Sequence, residues 1–377
     1  MNPTFKLPVV LSLSLLLLSC LGNTSNERGE MKNNEYAKYF EIEKSSDGGV
    51  TLIINENWSG KREVTRYRIV SAGVDNVDSD DFNVISVPLT KVVCMSTSHI
   101  AYINTLGEAE SIVAISGGRY ISDSIISSGV ADGTIADIGF ESSISYEKLM
   151  QLKPDIVFTY GISGENNLYI QKIRDIGIKV IALGDYMEEH PLGKLEYLKL
   201  FGELYCKGEY ADSLYNSVKD RYNKVAQRVA DIEYRPVILL NAPWKEIWYI
   251  PGENNYMSHL IRDAGGEVLL SKEGDSHSYT NSIEEVFASS HKASLWLNPN
   301  FYSTISELRS SNPLFSKMNL LSSGKVFNNT KRNTERGGSD FWERGVVEPD
   351  IILNDLINII HPDKGDSGEL KYYIKLK

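Results

Sequence analysis

Apolar and polar positions alternate through FEIEKSSDGGVTLIINENW, from Phe40 to Trp58, on both sides of Asp47-Gly48-Gly49. A period of two around a turn signal predicts a β-hairpin. RYRIVS adds a candidate third strand, so residues 36–90 read as an accessory β region. From Lys91 the pattern changes. Short continuous apolar runs, KVVCMS, SIVAIS, DIVFTY and KVIALG, alternate with segments of helical period such as HIAYINTLGE, SYEKLMQLK and LYIQKIRDIG. Apolar runs of this length suit strands covered on both faces, which predicts an α/β lobe over residues 91–192 with a mostly parallel sheet.

The next segment, residues 193–233, has helical periodicity nearly throughout and no strand candidate. It predicts a long connecting helix of roughly 60 Å if unbroken, with Gly202 and Gly208 as points of interruption. The α/β alternation then resumes. RPVILLNAP, IWYIPG, ASLWLNP and KVFNNT read as strands, and NNYMSHLIRDAG, SIEEVFASS, TISELRSS and PDIILNDLINIIH as helices. Residues 234–362 thus form a second α/β lobe, and the pair look like distant repeats with a ligand cleft between them. The 377-residue length fits two lobes better than one. Residues 363–377 are a polar tail, expected to fray.

The opening stretch MNPTFKLPVVLSLSLLLLSC carries one charge, Lys6, before an apolar run from Leu7 to Leu18. That run is too short to span a bilayer, so residues 1–19 read as a signal peptide. Leu17-Leu18-Ser19-Cys20 resembles the lipobox of bacterial lipoproteins. The resemblance implies export, acylation at Cys20 and a membrane anchor, with polar residues 20–35 as a flexible tether. The net charge of −11 argues against a broad nucleic-acid surface. Cys94 and Cys206 read as two buried thiols in preference to a disulfide, and their spacing makes no metal motif.

Ligands of open α/β sheets bind at the carboxyl ends of the strands. In the first lobe those loops offer Arg119, Tyr120 and Tyr160; in the second they offer Trp244, Trp248 and the residue-329–347 loop with Arg336 and Trp342. Four of the five tryptophans lie in the second lobe, where rings supply area and arginines supply charge to a planar or polyanionic ligand. Hydrolase, zinc-protease and phosphate-loop motifs are missing from the sequence, and the six histidines are scattered. No cofactor is expected. An exported metal-dependent enzyme or chelatase using His99 or the Asp340 region is the alternative, as is a ligand-binding module serving a different partner.

Ser145-Tyr-Glu-Lys-Leu-Met and Ser282-Ile-Glu-Glu-Val-Phe each place a glutamate, Glu147 and Glu284, in the predicted first turn of a short helix that runs into an apolar strand. Helix dipoles favour acids there, which accounts for either glutamate alone. It does not account for matched placement in both lobes. With VVCMSTSHIAYINTLGEAESIVAISG, SYEKLMQLKPDIVF and the helical connector, the chain from Lys91 to Pro362 resembles the helical-backbone, class III, substrate-binding proteins of bacterial ABC importers. The resemblance implies a non-enzymatic, monomeric binder that captures a ferric siderophore, or cobalamin, or with less support haem. It also implies delivery to a permease dimer with its ATPase, docked through Glu147 and Glu284.

Overall fold

The computed structural model describes residues 34–46, 48–56, 63–72, 81, 83–140, 143–161 and 166–377. The signal peptide, Cys20, most of the tether, and Asp47 and Trp58 of the predicted hairpin lie outside the described residues.

The predicted hairpin is β1 (Phe40–Lys44) against β2 (Val50–Glu56), paired antiparallel with Phe40 opposite Ile54. The third strand is β3 (Glu63–Ser71), and β4 (Val84–Val87) joins it in parallel. The alternation seen in the sequence is a burial pattern, since Phe40, Ile42, Leu52 and Ile54 are buried. They pack on the first lobe, and Tyr67 donates its hydroxyl to the Val180 carbonyl there.

That lobe contains β5 (Val92–Cys94), α1 (Thr97–Thr105), β6 (Ile112–Ile115), α2 (Ser124–Asp132) and β7 (Ala136–Asp137). It continues through α3 (Tyr146–Leu152), β8 (Ile156–Tyr160), α4 (Asn166–Asp175) and β9 (Val180–Leu183). Its five strands run parallel in the order β7-β6-β5-β8-β9. All four predicted strands are present; β7, two residues long, is too short to show a pattern.

The connector is helical but not one helix. It comprises α5 (Pro191–Leu195), α6 (Tyr197–Leu204) and α7 (Gly208–Ala226), the last roughly 28 Å long. The break falls at Cys206, whose φ of 55° is left-handed. Gly202 lies inside α6, where a Cβ would sit 2.5 Å from that of Ala211, so its role is close approach of α6 to α7. Cys94 and Cys206 are unpaired as expected, yet Cys206 is exposed because it sits in that turn.

The second lobe begins with β10 (Val237–Leu240), β11 (Ile247–Pro251), α8 (Tyr256–Asp263), β12 (Glu267–Val268), β13 (Ser278–Ser282) and α9 (Ile283–Ser289). It then has β14 (Leu295–Leu297), α10 (Ile305–Ser311), α11 (Asn319–Ser323), β15 (Val326–Asn328), α12 (Pro349–Ile360) and β16 (Ile374–Lys375). The main sheet has the order β12-β10-β14-β15-β16, while β11 pairs antiparallel with β13 in a separate ribbon.

Two terminal expectations are corrected. The tail does not fray: β16 pairs antiparallel with β15, and Tyr372 and Tyr373 are fully buried. The Asp355 carboxylate accepts the backbone N–H groups of Lys371, Tyr372 and Tyr373 at 2.6–3.1 Å, which fixes a segment with no helical partner. At the other end, the N–H groups of Glu35, Tyr36 and Ala37 donate to Glu196 at 2.7–3.0 Å. The tether therefore stops short of residue 35.

One apolar core runs from the accessory sheet through the connector into the second lobe, joining Phe40, Tyr102, Phe158, Tyr197 and Phe201 to Leu260 and Ile357. Residues Asn33–Lys377 accordingly form a single compact unit.

Candidate functional site

The carboxyl ends of β6 and β7 build one rim. Asp137, ending β7, accepts the Gly117 and Gly118 N–H groups at 3.2 and 2.8 Å, and Gly117 turns with a φ of 72°. This turn presents Arg119 and Tyr120. The guanidinium lies 4.4 Å from the Tyr120 ring centroid and donates to its phenolic oxygen, while exposed Phe140 packs 5.9 Å from the same ring. Phe140 carried no sequence signal, being one aromatic residue in a polar loop. At the end of β8, Tyr160 meets Tyr186 edge-on at 6.5 Å. Tyr186 donates to the Gly161 carbonyl, and burial, reinforced by Asp185, pushes its phenol up to about 12.

The second rim stands at the ends of β10 and β14. Asn241, Asn298 and Asn300 have φ of 65°, 55° and 55°, conformations that asparagine tolerates better than most residues. The Asn300 amide donates to the Ala242 carbonyl at 2.8 Å and the Trp296 indole to the Asn241 carbonyl at 2.6 Å, locking the two loops together. They carry Trp244 and Phe301, 56% and 82% exposed, with ring centroids 6.2 Å apart. Phe301 is the second rim residue that sequence reasoning missed.

Trp248 does not belong to the site. It is fully buried against Trp296 and Phe315, and its indole donates to the Leu240 carbonyl at 2.9 Å. The alternation in IWYIPG identified a strand but not which face was covered. Trp342 is half-exposed and packs on Phe341 and Tyr256, with the buried Lys194 ammonium 6.0 Å from its ring and 4.7 Å from that of Tyr256. Burial lowers the pKa of Lys194, against the opposing pull of Asp185 and Glu188.

Arg336 is exposed on the second-lobe loop that crosses to the first rim. A Cβ on the neighbouring Gly338 would lie 2.9 Å from the Tyr120 carbonyl oxygen and 2.8 Å from that of Ile121. The structure thus brings the Arg336 loop beside Arg119 and Tyr120. A cavity of about 460 Å³ adjoins this crossing, lined by α1, Ser122–Ser124 and the loop residues Arg332, Asp340, Glu343 and Arg344. A separate cavity of about 470 Å³ beside Arg235, Glu253 and Arg262, on the β12 edge, includes neither rim.

The residues behind the metalloenzyme alternative are committed elsewhere. His99 is fully buried, its Nε2 3.5 Å from Asp185, and Asp340 is buried and paired with Arg332 at 2.6 Å. Among the described residues no group of three His, Cys, Asp or Glu side chains is placed to hold a metal ion.

The two glutamates occupy the same helical position. Ser145 caps α3 by accepting from Lys148 N, and Ser282 caps α9 by accepting from Glu285 N. Glu147 and Glu284 are each the second residue of their helix, exposed, and make no hydrogen bond or ion pair among the described residues. Glu285 closes the capping box, so its neighbour is left free of that duty.

The model for the periplasmic binding protein family matches residues 92–332. An uncharacterised lipoprotein of Methanocaldococcus jannaschii is 26% identical over 78% of this chain and 71% of its own length. A periplasmic binding protein from Veillonella parvula superposes with a TM-score of 0.60 at 15% identity, covering 83% of this chain and 98% of that one. A periplasmic haem-binding protein from Pseudomonas aeruginosa gives 0.59 at 15% identity, covering 77% and 98%. Both share the two-lobed α/β fold. The chain belongs to the periplasmic binding protein family, whose members bind substrates for transport and are not enzymes.

Proposed function

We propose that this protein captures a ferric siderophore between its two rims and delivers it to the permease dimer of an ABC importer, working as an exported lipoprotein anchored through Cys20. The observation that carries the reading is the pairing of an arginine-bearing aromatic rim, Arg119, Tyr120 and Phe140, with the Trp244–Phe301 rim at the strand ends of the other lobe. Arginine meets an anionic metal complex with charge-assisted hydrogen bonds, and rings cover its organic periphery. A lipoprotein among the relatives and a haem binder among the structural neighbours support export and an iron-containing cargo. Haem is a second reading, favoured by the Tyr120 phenol at the rim, an oxygen suited to ferric iron. Cobalamin is a third.

Glu147 and Glu284 serve docking in this proposal. Two exposed carboxylates at the same position of α3 and α9 present one charge per lobe to a partner with two-fold symmetry.

The test is a tryptophan-fluorescence titration against ferric catecholate and hydroxamate siderophores, cobalamin and haem, with Trp244 as reporter. Saturable, stoichiometric quenching by a ferric siderophore at micromolar or tighter affinity is expected. Silence towards the whole panel would remove this ligand class.

A further inference from the structure

We propose that Glu343 is a positioning residue for ligand capture: from the second lobe it clamps the first-lobe segment that follows Arg119 and Tyr120, setting the two rims in one geometry before ligand arrives. The inference rests on the proposed reading for the identity of the site and adds what holds it.

Glu343 is 2% exposed, and its two carboxylate oxygens each take one backbone N–H across the lobe junction, Ser122 N and Asp123 N, both at 2.7 Å. A carboxylate reading two consecutive amides is geometrically demanding, and the positive end of α2 adds to the attraction. The grip reaches further through Asp123, which caps α2 by accepting from Ile125 N and Ile126 N at 2.9 and 3.0 Å. Asp123 also receives the Asn104 amide of α1 at 2.6 Å. Upstream, only Ile121 separates the clamped amides from Tyr120, and Gly338 presses on the carbonyls of both. The same second-lobe loop therefore contacts the residues that follow the Arg119–Tyr120 turn and also carries Arg336.

The clamp is built to be released. The cavity of about 460 Å³ beside it leaves the carboxylate room to withdraw without repacking an apolar core. Burial first, then Asp340 and Asp123, push the Glu343 carboxyl up to about 7, against the two amides that favour its charged form. The other charges nearby are Arg332, paired with Asp340, and Arg344, paired with Glu348.

Hydrogen exchange on the ligand-free full chain tests this. In Glu343→Ala, protection at Ser122 and Asp123 should fall at least tenfold while the β5 and β8 amides keep theirs. Glu343→Gln, which retains an acceptor oxygen, should recover part of the protection. With a ferric tris-catecholate complex and haem as probes, Kd should rise about tenfold in the alanine variant and return most of the way in the glutamine variant. Unchanged exchange at those two amides would overturn the clamp. Faster exchange with unchanged Kd for a probe that the wild type binds would reduce Glu343 to a structural contact. If the wild type binds neither probe, those two ligands drop out of the reading while exchange still judges the clamp.

Discussion

Two sets of carboxylates grip backbone N–H groups in different surroundings. On the connector side, Glu188 and Glu196 take the N–H groups of five consecutive residues, Glu35 to Tyr39. This strap lies against the aromatic core, with Phe40 4.6 Å from Tyr197 and Phe158 5.0 Å from Phe201. On the loop side, Glu343 takes two N–H groups beside a cavity and next to the ligand rim. Burial pushes both Glu188 and Glu343 up to about 7. One junction is backed by rings that cannot part without exposing apolar surface. The other is held by a few polar contacts beside a cavity.

The largest expected effect is on the connector side. Glu196→Ala removes the acceptor of three part-buried N–H groups and the partner of Lys199 at 3.0 Å. It should cost roughly 3 kcal/mol in denaturant unfolding, and a loss as small as that of a surface substitution would erase the contrast between the junctions. A smaller effect follows from the hinge histidines. Tyr36 stacks on His190 at 4.2 Å, and His190 faces His259 of α8 at 5.2 Å. Burial first, then the mutual charge and Arg262, hold His190 at about 3; burial and Arg262 hold His259 at about 4. The unfolded chain takes up these protons near pH 6.5 and the native state only well below it. Thermal stability should accordingly fall as pH drops from about 6.5 towards 4, and His190→Gln should flatten that slope. A wild-type melting temperature constant over this range would show that the histidines protonate without strain.

What was legible in the sequence was whatever apolar periodicity encodes. KVVCMS, SIVAIS, DIVFTY and KVIALG became β5, β6, β8 and β9, and the two matched serines became caps that place Glu147 and Glu284 alike. The segments that were misread are held by carboxylates on backbone N–H groups, which leave no periodic trace. Glu35 read as tether and the Tyr372–Tyr373 segment as loose tail for this reason. Glu343 was one acid in a mixed-charge loop, and its value comes from Ser122 and Asp123, over two hundred positions away. At the site, Phe140 and Phe301 were single rings in polar loops, while Trp248 had the right residue type on the covered face of its strand.

The importer role itself is tested most directly by uptake in cells whose own gene is replaced by the Glu147→Ala/Glu284→Ala variant, with ligand affinity measured on the same purified protein. Both side chains are exposed and make no hydrogen bond or ion pair among the described residues, so stability and ligand affinity should match the wild type. Uptake should fall at least tenfold, with each single variant losing less. Normal uptake by the double variant would contradict docking through these two helices, and loss of uptake together with loss of ligand binding would place the glutamates in the ligand site instead.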